Sequence, residues 1–125
     1  MTVLIVTRSD DNPSIRSVRD ALVARGAHVV RLDTDRYPTH VAISSLHDGA
    51  RLSRTLAFAD ERTSLDDVTA VWYRRFHAGA RIPDSVGDMR VACVHEARRA
   101  LHGMIAALPC FHLDPLESVR RTDHK

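Results

Sequence analysis

The stretch Val68-Thr69-Ala70-Val71-Trp72-Tyr73-Arg74-Arg75 constrains the fold more than any other. A β-branched run with no Gly or Pro inside it, entered from the acidic turn Asp66-Asp67, reads as a buried strand of a mostly parallel sheet. Its polar end is its carboxyl end. In open α/β sheets, ligands gather in the crevice outside the carboxyl ends of the strands, so Arg74 and Arg75 are delivered to the usual place of binding. Their planar donor forks suit carboxylate or phosphate. The competing reading is a surface turn in which both arginines pair with nearby acids. Trp72 and Tyr73 read as core and interface aromatics.

A chain of 125 residues is one domain's worth, short for an enzyme that must enclose two substrates. The formal net charge of +2 provides no general basic field, so nucleic acid is not expected as a partner. The opening Met1-Thr2-Val3-Leu4-Ile5-Val6-Thr7 lacks a basic leader and is too short for a signal core, so it reads as a strand. The expected setting is cytoplasmic, with no membrane partner. Cys93 and Cys110 make no CxxC pair and read as buried thiols without a disulfide.

After the first strand, Arg8-Ser9-Asp10-Asp11-Asn12-Pro13 leads into a helix, with Asn12 as N-cap and Pro13 at the first helical position. The helix runs to about Arg25, burying Ile15, Val18, Ala21 and Leu22, and Gly26 ends it. His28-Val29-Val30-Arg31-Leu32 is the second strand, completing a βαβ unit. Asp33-Thr34-Asp35-Arg36-Tyr37-Pro38 then lies on the same rim of the sheet as Ser9 and Arg74, so it is a site candidate. A β-hairpin turning at Asp48-Gly49 is expected to extend one edge of the sheet, with Leu46, Leu52, Leu56 and Phe58 on its buried face. A long helix over residues 84–107 carries an apolar stripe from Val86 through Met89, Cys93, Ala97 and Leu101 to Ile105. Its other face presents His95, Arg98, Arg99 and His102, which read as a solvated row or an interface. Phe111-His112-Leu113 is a last short strand.

The turn after the first strand has no dinucleotide glycines, and Asp10 and Asp11 would repel a pyrophosphate. There is no GxxxxGK[ST] loop, so no nucleotide site of the chain's own is expected. The histidines lack ligand spacing, and no metal is expected. No catalytic nucleophile is legible, since Ser9, Ser14 and Ser85 lack a glycine-flanked elbow.

Val3-Leu4-Ile5-Val6-Thr7 with Asp11-Asn12-Pro13-Ser14, Arg31-Leu32-Asp33-Thr34-Asp35-Arg36, Val71-Trp72-Tyr73-Arg74-Arg75 and Leu113-Asp114-Pro115 together resemble the amino-terminal domain of microviridin-type ATP-grasp peptide ligases, the maturases of graspetides. The resemblance spans essentially the whole chain in order. It implies a small Rossmann-like α/β pre-ATP-grasp domain of two or three layers, with a mostly parallel sheet, an added β-hairpin and two main helices. It further implies that residues 1–113 form this domain and that residues 114–125 begin a linker into central and ATP-grasp domains holding ATP and Mg2+. In that family ATP phosphorylates a side-chain carboxylate of a ribosomal precursor peptide, and a hydroxyl or amine of the same peptide attacks the acyl phosphate. The product is a macrocyclic ester or amide.

The wall facing such chemistry needs fixed positive charge more than acid or base groups. Arg74 and Arg75, with Arg36 and Ser9, are the expected contacts to the peptide or transferring phosphate, with Asp33 orienting Arg36. Trp72, Tyr73, Arg98 and Arg99 are the expected interface residues. Alone, the fragment is expected to be inactive and to hold no cofactor. Two other readings stay open: a stand-alone flavodoxin-like module that binds an acidic peptide or protein partner, and a structural domain that forms a homodimer.

Overall fold

A computed structural model describes residues 1–113; the expected linker at 114–125 lies outside the described residues. The architecture is set by β1 (Thr2–Thr7), in which Val3, Leu4, Ile5 and Val6 are each at most 6% exposed. A strand apolar on both faces must be covered on both, which places it inside a parallel sheet. It pairs in parallel with β2 (His28–Asp33) on one side and β6 (Val68–Tyr73) on the other. A short β7 (Phe111–Leu113) extends β6, giving the order β2-β1-β6-β7.

Each face of this sheet has its own cover. On one, α1 (Ser14–Ala24) sets Ile15 against Val3, Ile5 and Ala27, with Trp72 and Val29 at the margin. On the other, Leu4, Val6, Val30, Leu32 and Val71 share a core with Leu101 and Ile105 of α2 (Arg90–Ala106) and Leu56 of β4 (Arg51–Phe58). The result is a three-layer α/β domain, with a four-stranded parallel sheet, two main helices and added antiparallel strands. Among the described residues no helix is long and apolar enough to cross a membrane.

Local sequence explains the ends of α1. Asn12 Oδ1 accepts the Ser14 amide at 2.9 Å, so it serves the helix start from one position before the Pro13 cap. Gly26, at φ 86°, turns the chain so that its own amide reaches the Val23 carbonyl and the Ala27 amide that of Leu22. The expected apolar stripe is only partly covered. Ile15 is buried and Leu22 half-buried, whereas Val18 and Ala21 face solvent. One helix on this face leaves its own flanks without neighbours.

The hairpin differs from expectation in three respects. β3 (Val41–Asp48) and β4 do turn at Asp48-Gly49, but they form a separate antiparallel sheet with a third strand, β5 (Glu61–Ser64), rather than extending the parallel one. β5 is entered through Ala59 at φ 52°, a left-handed turn residue whose side chain gives no glycine-like signal. Register separates the expected buried face, because Leu46 stands opposite Ser53 and therefore points away from Leu52, Leu56 and Phe58. Of those, Leu56 is fully buried and Phe58 packs on the core, while Leu46 and Leu52 are exposed at the far end of the ribbon.

The expected long helix is two pieces. Gly87 at φ 72° interrupts it, so Asp84–Met89 forms a 3-10 segment before α2, and Val86 and Met89 stay exposed. From Ala97 through Leu101 and Ile105 to Leu108 the apolar stripe is buried as its spacing requires.

Candidate functional site

Three loops leave the carboxyl ends of β1, β2 and β6 and meet on one rim. Thr34, fully buried, joins all three. Its hydroxyl donates to the Thr7 carbonyl at 2.8 Å, accepts the His77 amide at 2.9 Å, and lies 3.4 Å from the Arg75 carbonyl. A single hydroxyl thus stitches chain segments that enter the sheet far apart in sequence.

Beside it, Asp35 is 9% exposed. Its carboxylate accepts the Ser9 amide at 2.9 Å, the Ser9 hydroxyl at 2.6 Å and Arg81 Nε at 3.1 Å. Arg81 also donates to Ser9 Oγ at 3.0 Å. Burial pushes the Asp35 carboxyl up, but the bonds from Ser9 and Arg81 outweigh it and hold the carboxyl below its usual range. Gly79, in the same loop as Arg81, has φ 85° and would place a Cβ 3.0 Å from Val94 Cα, so this loop runs hard against α2.

On the α1 side of the rim, Arg74 grips Asp11 through two bonds, Nε to Oδ2 at 2.7 Å and Nη2 to Oδ1 at 3.2 Å. The Asp11 side chain is 2% exposed and also accepts from the Thr7 hydroxyl and the Asn12 amide. The Arg74 fork holds the Asp11 carboxyl far below its ordinary range, and Arg74 is pushed up in return. The guanidinium lies 4.9 Å from the Trp72 ring centroid, a cation–π contact that fixes its plane.

These facts sort the expected site residues. Ser9, Asp33, Arg36, Arg74 and Arg75 all lie on the carboxyl rim, but they are not equivalent. Arg74 is committed to Asp11 and Trp72, and Ser9 to Asp35 and Arg81. Asp33 pairs with Arg31 at 2.8 Å and only distantly with Arg36, at 4.0 Å. The exposed Arg75 side chain has no hydrogen-bond or ion-pair partner among the described residues. Arg36 and Arg75 are therefore the rim's available forks.

Of the expected interface residues, Tyr73 is 5% exposed and its hydroxyl is pushed up to about 12 by burial, whereas Trp72 is half-buried under α1. Arg98 and Arg99 are exposed on α2, Arg99 near Glu96 and Arg98 lining a shallow pocket with His77. Sequence reasoning missed Thr34 and Asp35 as individuals, although their loop was marked, and missed Arg81 altogether. Nothing local distinguishes Arg81, since its role comes from loop packing.

The rim does not fit a nucleotide. The β1–α1 turn presents Asp10 and Asp11, the latter already held by Arg74, where a phosphate would need free amides. Among the described residues no three His, Cys, Asp or Glu side chains gather as a metal would require.

The profile of the MvdD pre-ATP grasp domain matches residues 2–120. Among solved structures, the macrocyclase MdnC bound with precursor peptide MdnA from Microcystis aeruginosa MRC is 44% identical with a TM-score of 0.88, over 100% of this chain and 40% of that one. The Chryseobacterium gregarium RiPP-associated ATP-grasp ligase, in complex with ADP and a leader and core peptide, is 29% identical with a TM-score of 0.89, over 98% and 37% of the respective chains. The macrocyclase MdnB from Microcystis aeruginosa MRC is 27% identical with a TM-score of 0.77, over 100% and 45%. The chain thus spans less than half the length of each of these three proteins. No curated protein matches it.

Proposed function

The chain belongs to the MvdD pre-ATP grasp domain family, and from that premise we propose that it is the substrate-side, amino-terminal part of an ATP-dependent ligase acting on a ribosomal precursor peptide. The observation that carries the reading is 44% identity, along the entire chain, to a macrocyclase caught with its precursor peptide. In this proposal the remainder of the ligase holds ATP and Mg2+, whose chemistry is phosphorylation of a peptide carboxylate. A hydroxyl or amine of the same peptide displaces the phosphate, closing an ester or amide ring.

This chain supplies a wall of fixed charge. Arg75 and Arg36 meet substrate carboxylates or the phosphoryl oxygens, because a guanidinium fork binds both without any proton transfer. Arg74 and Ser9 build the rim through the Asp11 and Asp35 networks, Asp33 orients it through Arg31, and no residue here acts as acid, base or nucleophile. The precursor peptide is the partner, and in the proposed ligase residues 114–125 join this domain to the ATP-grasp part.

The test is Arg75→Ala and Arg36→Ala in the full-length ligase, followed by loss of water mass from the precursor. Losing a charge-assisted bond costs about 1.5–3 kcal/mol, so cyclisation should slow about 10- to 100-fold. Undiminished cyclisation in both variants would remove these residues from the site.

A further inference from the structure

Strand β2 is an edge of the parallel sheet, and its outer border forms the floor of an open groove of about 760 Å³. One wall is α1, through Arg16 and Arg19; the other is the antiparallel sheet, through Val41, Phe58 and Thr63. Among the described residues nothing pairs with the outward backbone groups of that floor. The His28 amide donates to the Met1 carbonyl at 2.8 Å, and His28 stands opposite Thr2 in the parallel ladder. In such a ladder each residue directs its amide and its carbonyl to the same neighbour, and successive residues alternate. Residues 28, 30 and 32 therefore serve β1, while Val29, Arg31 and Asp33 point their backbone groups into the groove. Folded proteins usually blunt an exposed edge with a proline or a bulge. β2 has no proline and runs in unbroken register with β1.

The charge of the groove selects its occupant. Four arginines line it, Arg16, Arg19, Arg31 and Arg36, against two acids, Asp33 and Glu61, of which Asp33 is already paired with Arg31. Neither Arg16 nor Arg19 has a hydrogen-bond or ion-pair partner among the described residues, and both are exposed. Positive charge stands over the α1 wall, whereas the other wall offers Val41 and Phe58 beside Thr63 and the single acid Glu61, so the two walls differ as do the two faces of an extended strand whose side chains alternate.

We propose that β2 accepts an added strand: an extended acidic segment of the substrate peptide, hydrogen-bonded to Val29 and Arg31, with carboxylates toward Arg16 and Arg19 and apolar side chains toward Val41 and Phe58. Main-chain bonds supply affinity and the two walls supply selectivity. The identity of the peptide rests on the ligase reading above; the groove itself does not. Contacts of Arg16 and Arg19 that are the same in the bound peptide and in the transition state act on peptide affinity and leave the chemical step alone.

The experiment titrates the chain with a blocked hexapeptide of alternating Glu and Val and follows backbone amide shifts by NMR. Expected are shifts at Val29 and Arg31, with affinity weakened about tenfold or more in Arg16→Glu/Arg19→Glu and for a peptide N-methylated at alternate amides. Both substitutions lie on an exposed helix face, so the fold survives them. Shifts confined to residues 74–77, equal binding of the N-methylated peptide, equal binding of an oligonucleotide of the same charge, or a homodimer that consumes the Val29 and Arg31 amides would each overturn the proposal. In the full-length ligase, Arg16→Glu/Arg19→Glu should raise KM for the precursor about tenfold with kcat unchanged. Normal cyclisation with unaltered KM would sink this site and leave the ligase reading standing. No loss of water from the precursor in the unmodified enzyme would sink the ligase reading instead.

Discussion

Arg74→Ala separates a structural arginine from a substrate-binding one. Arg74 and Asp11 form a pair whose carboxylate is 2% exposed and whose guanidinium side chain is 19% exposed. Removing one member of a buried pair costs about 3–5 kcal/mol, because the other charge is left without its counterion. Two features put this variant near the lower bound. Asp11 keeps the Thr7 hydroxyl and the Asn12 amide, and the partial exposure of Arg74 lets water reach the vacated space. Losing the stacking of Arg74 on Trp72 adds about 0.5–1 kcal/mol. The expected total is about 3.5–4 kcal/mol, which for a domain of this size lowers Tm by about 11–20 °C. Thermal and urea unfolding followed by circular dichroism measures it, with Arg75→Ala as the neighbouring control. Arg75 has no partner to lose among the described residues and should stay within about 0.5 kcal/mol of the parent. A midpoint for Arg74→Ala that matches the Arg75→Ala control would refute the assignment of Arg74 to the scaffold.

Thr34→Val keeps the shape of the side chain but strips the Thr7 carbonyl and the His77 amide of their partner, and should cost about 1–3 kcal/mol in urea unfolding; a neutral result would mean that the rim loops do not depend on that hydroxyl. Acid stability follows from Asp11 and Asp35, whose folded carboxyls both titrate below the ordinary 3.8. The unfolded chain takes up protons first, so their contribution is full above about pH 4 and is lost as pH falls from there toward the folded values. Urea midpoints should accordingly drop between pH 4 and pH 2.5, and drop less steeply in Arg74→Ala, which has already surrendered the interaction that most depresses Asp11; parallel slopes would contradict the assigned cause.

How much of this was legible beforehand differs by element. The β1 and β6 strands, the βαβ unit and the buried stripe from Ala97 to Leu108 follow from apolar periodicity, since a residue's face on a strand or helix is fixed by local geometry alone. The rim was legible for the same reason: a polar residue that ends a parallel strand lands on the carboxyl edge whatever lies beyond. The family was legible too, from four short blocks in order.

What a rim residue does was not. Arg74 and Arg75 are adjacent and chemically identical, yet one is locked to Asp11 and stacked on Trp72 while the other has no partner among the described residues, because only Arg74 reaches the carboxylate of the turn between β1 and α1. The same dependence hid Arg81 and Thr34, whose partners are 72 and 27 residues distant. Likewise β5 and the true face of Leu46 depended on a left-handed Ala59 and on cross-strand register. Apart from β5 and the break at Gly87, sequence by itself thus determined which segments become strands and helices and which ends of them meet solvent. Tertiary structure alone decided which charges are spent inside the protein and which remain for a ligand, because pairing is a property of distance in space, and no local pattern encodes that distance.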